Sequence, residues 1–421
     1  MSDYSTSLKS LGRAPRLRRP LLSRLLGSAD ARLFILVLPL LVFVLVTVVL
    51  PVGQFLARAI DNSAIAKNLP LTAASLAEWQ PGATLPDGPA FAAFAADTRA
   101  AAERQTLGQL AQSLNQQLTG SRNLIIKSGT VTPMMAADMP PEVVKTTLLA
   151  KLPGLADPRL WSLFKTGHSQ FTDFYLLQSL DLERDGAGAI VSVTADRAIF
   201  RAAIWRTIII SLNVTLLCAL LALPVAHVLA AAKPPYAGIL LALVLFPLWT
   251  SLLVRTVSWI IILQGEGPVN TALQFLHVID QPLHLVYTRG SLYIAMVQVL
   301  LPLMILSILA VVVKLPKELV RAAGSLGANW WQTYWRIQLP LIAPGIVTGA
   351  GIVFVFALGY YITPALIGGP QDQMLSSYVA SFTNKTLNWG LAAALAVQLL
   401  LILGVAMLAW VAFQRVGRRK A

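Results

Sequence analysis

The stretch RAAGSLGANWWQTYWRIQLP, residues 321–340, stands between two long apolar runs, 292–313 and 346–367, as an island of polar and aromatic side chains. A run of about twenty apolar residues crosses about 30 Å of hydrocarbon as a helix, so the island is a loop at a membrane surface. Good helix formers fill 317–326, and Gly327 permits a sharp turn after them. Trp330, Tyr334 and Ile337 then recur at i, i+4 and i+7 on one apolar face. The expectation is two short helices joined by a turn, with a face that docks into a groove on a partner protein. Trp330, Trp331 and Trp335 also suit the aromatic belt of a bilayer interface, but a belt gives no reason for the spacing of Gly327, Leu339 and Pro340.

Outward from the island, the chain keeps the same character. It is 56% hydrophobic and 12% charged over 421 residues, far from the composition of soluble domains. Apolar runs at 33–56, 204–232, 237–263, 292–313, 346–367 and 391–413 predict an α-helical polytopic membrane protein with six transmembrane helices. Pro247, Trp249 and Pro302 fall inside these runs without being expected to end them. The first run exceeds the 7–15 apolar residues of a cleaved signal, so it is read as an anchor although Ala57-Arg58-Ala59 resembles a cleavage site.

The net charge of +14 follows topology. Residues 58–203 hold 13 basic and 13 acidic side chains, so the excess lies elsewhere. It gathers in a tail at 1–32 (Lys9, Arg13, Arg16, Arg18, Arg19, Arg24, Arg32), beside the island (Lys314, Lys317, Arg321, Arg336) and in a tail at 414–421 (Arg415, Arg418, Arg419, Lys420). The positive-inside rule makes these places cytoplasmic, both termini included. No nucleic-acid partner is expected, because no reading module accompanies the charge.

The first span, 33–57, is followed by an extracytoplasmic insert, 58–203, of the size of an independent domain. Residues 91–118 read as helix, while 175–177 and 189–194 read as strands about the turn signal Arg184-Asp185-Gly186, giving a mixed α/β domain. His168 has no Cys, His or acidic pair at ligand spacing, so no metal site is expected. Cys218, the single cysteine, lies inside the second run and is read as a small apolar residue.

Ala322, Ala323, Gly327, Ile337, Leu339 and Pro340 stand in the spacing of the EAA loop. On these residues the chain resembles permease subunits of type I ABC importers. The likeness extends over about 207–413, through PLWTSLLVRTVSW (247–259), the island and LGYYITPALIGGP (358–370). It is closest to the spermidine/putrescine type. Two departures stand out: Arg321 replaces the family's usual acid, and Tyr360 and Ala365 occupy positions that are often acidic in that subfamily. The resemblance implies a permease core, here 204–413, with a cytoplasmic coupling loop at 314–341. It also implies a separate ATPase subunit bound to that loop, a second permease, same or different, and an extracytoplasmic solute-binding protein. A small polar solute of polyamine type, or a related amino compound, would cross by alternating access.

The residues agree on where energy comes from. No G-x-x-x-x-G-K-[ST] loop occurs, so the chain is not expected to hydrolyse ATP, and no cofactor is implied. No paired carboxylates sit inside the runs, which weighs against the alternative of an ion-coupled secondary transporter. A membrane receptor with a ligand-sensing insert is the other alternative, and it leaves four spans without a purpose.

Candidate pathway residues are Arg255, Trp259, Tyr360, Tyr361 and Thr363. Arg255 is a charge well inside a run; it either faces an interior cavity, a solute anion or a second permease's acid, or snorkels to the interface. Trp259, one turn on, offers a stacking surface, and the tyrosines either line a pathway at a helix break or belong to the belt. Gly345 and Gly349 form a small-x-x-x-small face for close helix packing within the permease pair. Glu318, three residues before Arg321, offers it a local ion pair, the alternative being an acid on the ATPase.

Overall fold

The computed structural model describes residues 29–81, 84–136, 138–185 and 189–420. Lys9, Arg13, Arg16, Arg18, Arg19 and Arg24 of the basic tail, and Gly186 of the expected turn, lie outside the described residues. Among the described residues five helices are long and apolar enough to span a membrane: Leu36–Ile60, Phe200–Ala231, Arg289–Val312, Trp330–Gly359 and Trp389–Val411. A sixth candidate is a pair, Tyr236–Trp249 and Leu252–Phe275, bent by 98°. The chain divides into two units, Met1–Phe55 and Leu56–Ala421. In the first, the helix from Ala29 takes a π turn at Leu45–Val49, just before Pro51, which cannot donate to the carbonyl four residues back.

In the second unit, three helices form the centre of the membrane part. Ile210, Val214, Cys218, Ala222 and Ala226 recur every four residues along Phe200–Ala231, and all are buried. Met296, Leu300, Met304 and Ile308 repeat the same spacing on Arg289–Val312, and Ile342, Val353 and Ala357 complete the cluster from the third helix. Rows of this spacing are the ridges by which helices interlock. Cys218 is part of this packing, its sulfur 3.9 Å from the Val297 carbonyl. Gly345 and Gly349 let the third helix approach the fourth span. A Cβ on Gly349 would sit 2.6 Å from Met304 Sδ, and one on Gly345 would sit 3.0 Å from the Ser307 carbonyl oxygen. The small-residue face is therefore filled within this chain and is not left open for a second permease.

Two of the expected spans have different limits. The run 237–263 does not continue past Trp249: Thr250 and Ser251 are extended, and the helix restarts at Leu252. Proline leaves the Leu243 carbonyl without its helical donor, and Thr250 Oγ1 donates to the Pro247 carbonyl at 2.9 Å, closing the helix end. Pro302, in contrast, is accommodated within Arg289–Val312. The run 346–367 ends early, at Gly359, and a separate short helix follows at Ile362–Ile367. Pro364 explains this, because its ring would meet the carbonyl of Tyr360 four residues before it.

Among its described residues the insert is mainly helical, with one two-stranded ribbon, and the mixed α/β expectation is cut back to that ribbon. Its core gathers Phe91, Phe94, Trp161 and Phe164, with Phe94 and Phe164 stacked at 5.1 Å and Trp161 Nε1 donating to the Leu155 carbonyl at 2.8 Å. The expected strand at 175–177 is part of a helix, Phe174–Gln178. Short apolar runs do not distinguish the two states, and Tyr175 is the residue this helix buries. Ile190–Ser192 is a strand, paired antiparallel with Leu182–Arg184. His168 is exposed, its Nδ1 2.8 Å from the Lys165 carbonyl oxygen, and no group of three metal-binding side chains occurs among the described residues.

The insert rests on the start of the last span. Gln116 Nε2 donates to the Leu387 carbonyl at 3.1 Å, Tyr175 Oη donates to Gln116 Oε1 at 3.1 Å, and Arg58 lies over the Trp389 ring at 5.6 Å. Burial pushes the Tyr175 hydroxyl up to about 12, so it remains a donor at any physiological pH. A polar cavity of about 460 Å³ opens at this junction, lined among others by Asp61, Gln109 and Gln112.

Candidate functional site: a capped hairpin and an intramembrane polar cluster

The island folds as a helical hairpin whose turn is set by backbone chemistry. Helix Lys317–Ser325 ends on Leu326, and Gly327 follows at φ +82°. Gly327 N–H donates to the Gly324 carbonyl at 3.0 Å and Ala328 N–H to the Ala323 carbonyl at 3.0 Å. This pair of bonds is the Schellman ending, which places glycine at the left-handed position. Asn329 then caps the next helix: its Oδ1 accepts from Gln332 N–H at 2.8 Å, while Gln332 Oε1 accepts from Asn329 N–H at 3.2 Å.

Beyond the cap, one expectation changes. The second segment is not a short helix of its own but the beginning of Trp330–Gly359, continuous with the membrane. A π turn at Tyr334–Gln338 lies just ahead of Pro340, whose missing N–H leaves the Arg336 carbonyl inside that turn without its helical donor. Trp330 stacks on Tyr334 at 5.7 Å and 16°, and Tyr334 lies 5.6 Å from the His227 ring at the end of Phe200–Ala231. Ile337 and Leu339 are half-buried, Ala323 is buried, and Ala322 and Pro340 are exposed. Leu326 is 88% exposed and Trp330 72% exposed, leaving the tip bare and apolar. Arg321 is exposed and no ion pair joins it to Glu318, so the local neutralisation expected from their spacing does not form.

The second set of residues converges at the two helix breaks. Arg255 stands in the first turn of Leu252–Leu263, half-buried, and its Nε and Nη1 are buried without a hydrogen-bond partner. Tyr360 Oη is likewise buried without a hydrogen-bond partner. Thr256 and Thr363 are buried and share a hydrogen bond at 3.2 Å, and Trp259 Nε1 donates to Gln298 Oε1 at 2.8 Å. Leu263, Ala295 and Ile367 pack the three contributing helices together beside this cluster. The Tyr360 carbonyl, freed by Pro364, accepts from Ser376 Oγ at 2.7 Å, and that of Tyr361 accepts from Ala365 N–H at 3.1 Å and from Ser377 Oγ at 3.4 Å. Tyr361 itself is 43% exposed and does not join the cluster.

Two cluster members, Thr256 and Gln298, were not singled out in the sequence. Gln298 had a signal, a lone carboxamide inside an apolar run. Thr256 had none, because its partner is 107 residues away.

Helices long and apolar enough to span a membrane, two breaks among them and a hairpin continuous with one of those two broken helices define a polytopic membrane protein. Residues 207–416 match the family described as binding-protein-dependent transport system inner membrane component, and the chain belongs to that family. It is 30% identical over 217 residues to the spermidine/putrescine transport system permease protein PotB of Haemophilus influenzae, a match covering 52% of this chain and 76% of the relative. It is 32% identical to PotB of Escherichia coli over 210 residues, covering 50% and 76%. The inner membrane ABC transporter permease protein YdcU of Escherichia coli is 31% identical over 192 residues, covering 41% and 61%. Among solved structures, a bacterial ABC transporter for alginate matches at TM-score 0.43 and 20% identity, covering 52% of this chain and 79% of that one. The MetNI methionine transporter matches at TM-score 0.40 and 16% identity, covering 51% and 94%.

Proposed function

We propose that this chain is the membrane-spanning subunit of an ATP-driven importer that carries a small polar amino compound, of polyamine type or related to it. The observation that carries the reading is the Schellman-capped hairpin, with its bare apolar tip and its direct continuation into a span. An ATPase subunit binds there through Arg321, Ala322, Gly327, Trp330 and Tyr334, with Ala323 buried beneath them. Closure of the ATPase on its nucleotide draws the hairpin inward, and the rigid helix carries that movement to the polar cluster. Both termini and the hairpin are cytoplasmic, while the insert faces outward, where a solute-binding protein delivers its cargo. A second permease subunit completes the pathway. The polyamine class is supported by the PotB relatives.

Reconstitution into vesicles with the ATPase, the second permease and the binding protein tests this. Uptake should require ATP on the hairpin side, and the chain alone should hydrolyse none. Uptake that persists without the ATPase and follows a proton or sodium gradient would instead establish a secondary transporter.

A further inference from the structure

The charge placed within the membrane part is positive and has no carboxylate to meet. Residues 204–413 contain four acids, Glu266, Asp280, Glu318 and Asp372. Glu266 and Asp280 are exposed between Leu252–Leu263 and Arg289–Val312, Glu318 is exposed on the hairpin, and Asp372 already accepts from Arg289 Nε at 2.8 Å. None is available to Arg255, whose Nε and Nη1 are buried and unpartnered. An ionisable group kept in such a place marks a ligand or a partner charge.

The surroundings favour a ligand over a plain ion pair. Tyr360 Oη also lacks a hydrogen-bond partner, and the bond between Thr256 and Thr363 at 3.2 Å ties the helix that carries Arg255 to the segment that follows Tyr360. A few convergent polar groups in an otherwise apolar wall are what orients a small solute. The chain restarts its helix just below Arg255, and the Ser251 side chain does not cap that end, so the free first-turn amides add to the positive potential. Ammonium groups are repelled by an uncompensated guanidinium where the dielectric is low.

We infer that the solute bears a carboxylate, held by Arg255 with a second hydrogen bond from the Tyr360 hydroxyl, so that the cargo is an amino carboxylate and not a purely cationic polyamine. This rests on the importer reading above and names its solute class.

The test uses the reconstituted complex with its binding protein, offered equal amounts of 1,4-diaminobutane, 4-aminobutanoate and butanedioate, which share a chain length and differ in end groups. ATP-dependent uptake of 4-aminobutanoate should exceed that of the diamine by about tenfold or more, and Arg255→Gln should lower it by about tenfold while Arg255→Lys retains part of it. Binding-protein affinity and ATPase capture should stay unchanged in both variants. Preference for the diamine, uptake of none of the three, or an Arg255→Gln variant that carries 4-aminobutanoate as well as the parent would overturn the inference. So would loss of the second permease from Arg255→Gln, which would make Arg255 an interchain ion-pair residue. The importer reading fails separately, if the ATPase is not captured or uptake persists without it.

Discussion

Gly327→Val should lower capture of the ATPase subunit by about tenfold or more, equivalent to roughly 1.4 kcal/mol of binding free energy. Gly327 sits at φ +82° with nothing within 4 Å of the position its Cβ would take. Steric crowding is therefore not the cause; the backbone conformation is. A non-glycine residue pays about 1–2 kcal/mol in the left-handed region, and β-branching adds to this because it restricts the side chain as well. The chain would relieve the strain by giving up the bonds from Gly327 and Ala328 to the carbonyls of Gly324 and Ala323, which would swing Lys317–Ser325 away from Trp330. Gly327→Asn should recover much of the loss, since asparagine tolerates the same conformation. Titration of purified protein in nanodiscs with the ATPase measures both. Equal capture by parent and valine variant would show that the turn geometry is not what the ATPase reads.

The second large effect belongs to Arg321. It is exposed and has no ion pair with Glu318, although three-residue spacing allows one. Such an exposed pair would contribute only ~0.2–0.5 kcal/mol, so its absence costs little and leaves the guanidinium free for a partner. Arg321→Glu should then cut ATP-dependent uptake strongly, because like charges brought together at an interface cost several kcal/mol. Reversal of the facing acid on the ATPase should restore it. Arg321→Ala should fall between the two. Uptake within about threefold of the parent for Arg321→Glu, or roughly 0.65 kcal/mol, would mean that the hairpin engages its partner without this residue.

How far the sequence could be read depended on the range of the interactions involved. Gly327 was legible because a left-handed turn is a property of one residue and its immediate neighbours. The apolar runs were legible for the same reason, since length against bilayer thickness is a local test. The 98° break was not, because Pro247 and Pro302 look alike in composition and only one is followed by Thr250 and Ser251 leaving the helix. The continuity of Trp330 with the fifth span was hidden by Pro340, which follows a π turn, and by Pro344 inside the helix beyond it. Within the polar cluster, Arg255, Trp259, Tyr360 and Thr363 could be found one by one, but the bonds that tie Trp259 to Gln298 and Thr363 to Thr256 join distant parts of the chain. The helix at Phe174–Gln178 was misread as a strand because five residues carry too little periodicity to decide.

The account turns on the hairpin being the place where the ATPase is held. Leu326 is 88% exposed at its tip, and the chain's single native cysteine, Cys218, is buried, so Leu326→Cys introduces one reactive thiol. In the assembled complex this cysteine should form a crosslink to the ATPase with a short bifunctional maleimide, and the yield should change when ATP is added. A thiol that labels fully from solution in the complex, with no adduct to the ATPase in any nucleotide state, would contradict the assignment of the hairpin as the coupling element.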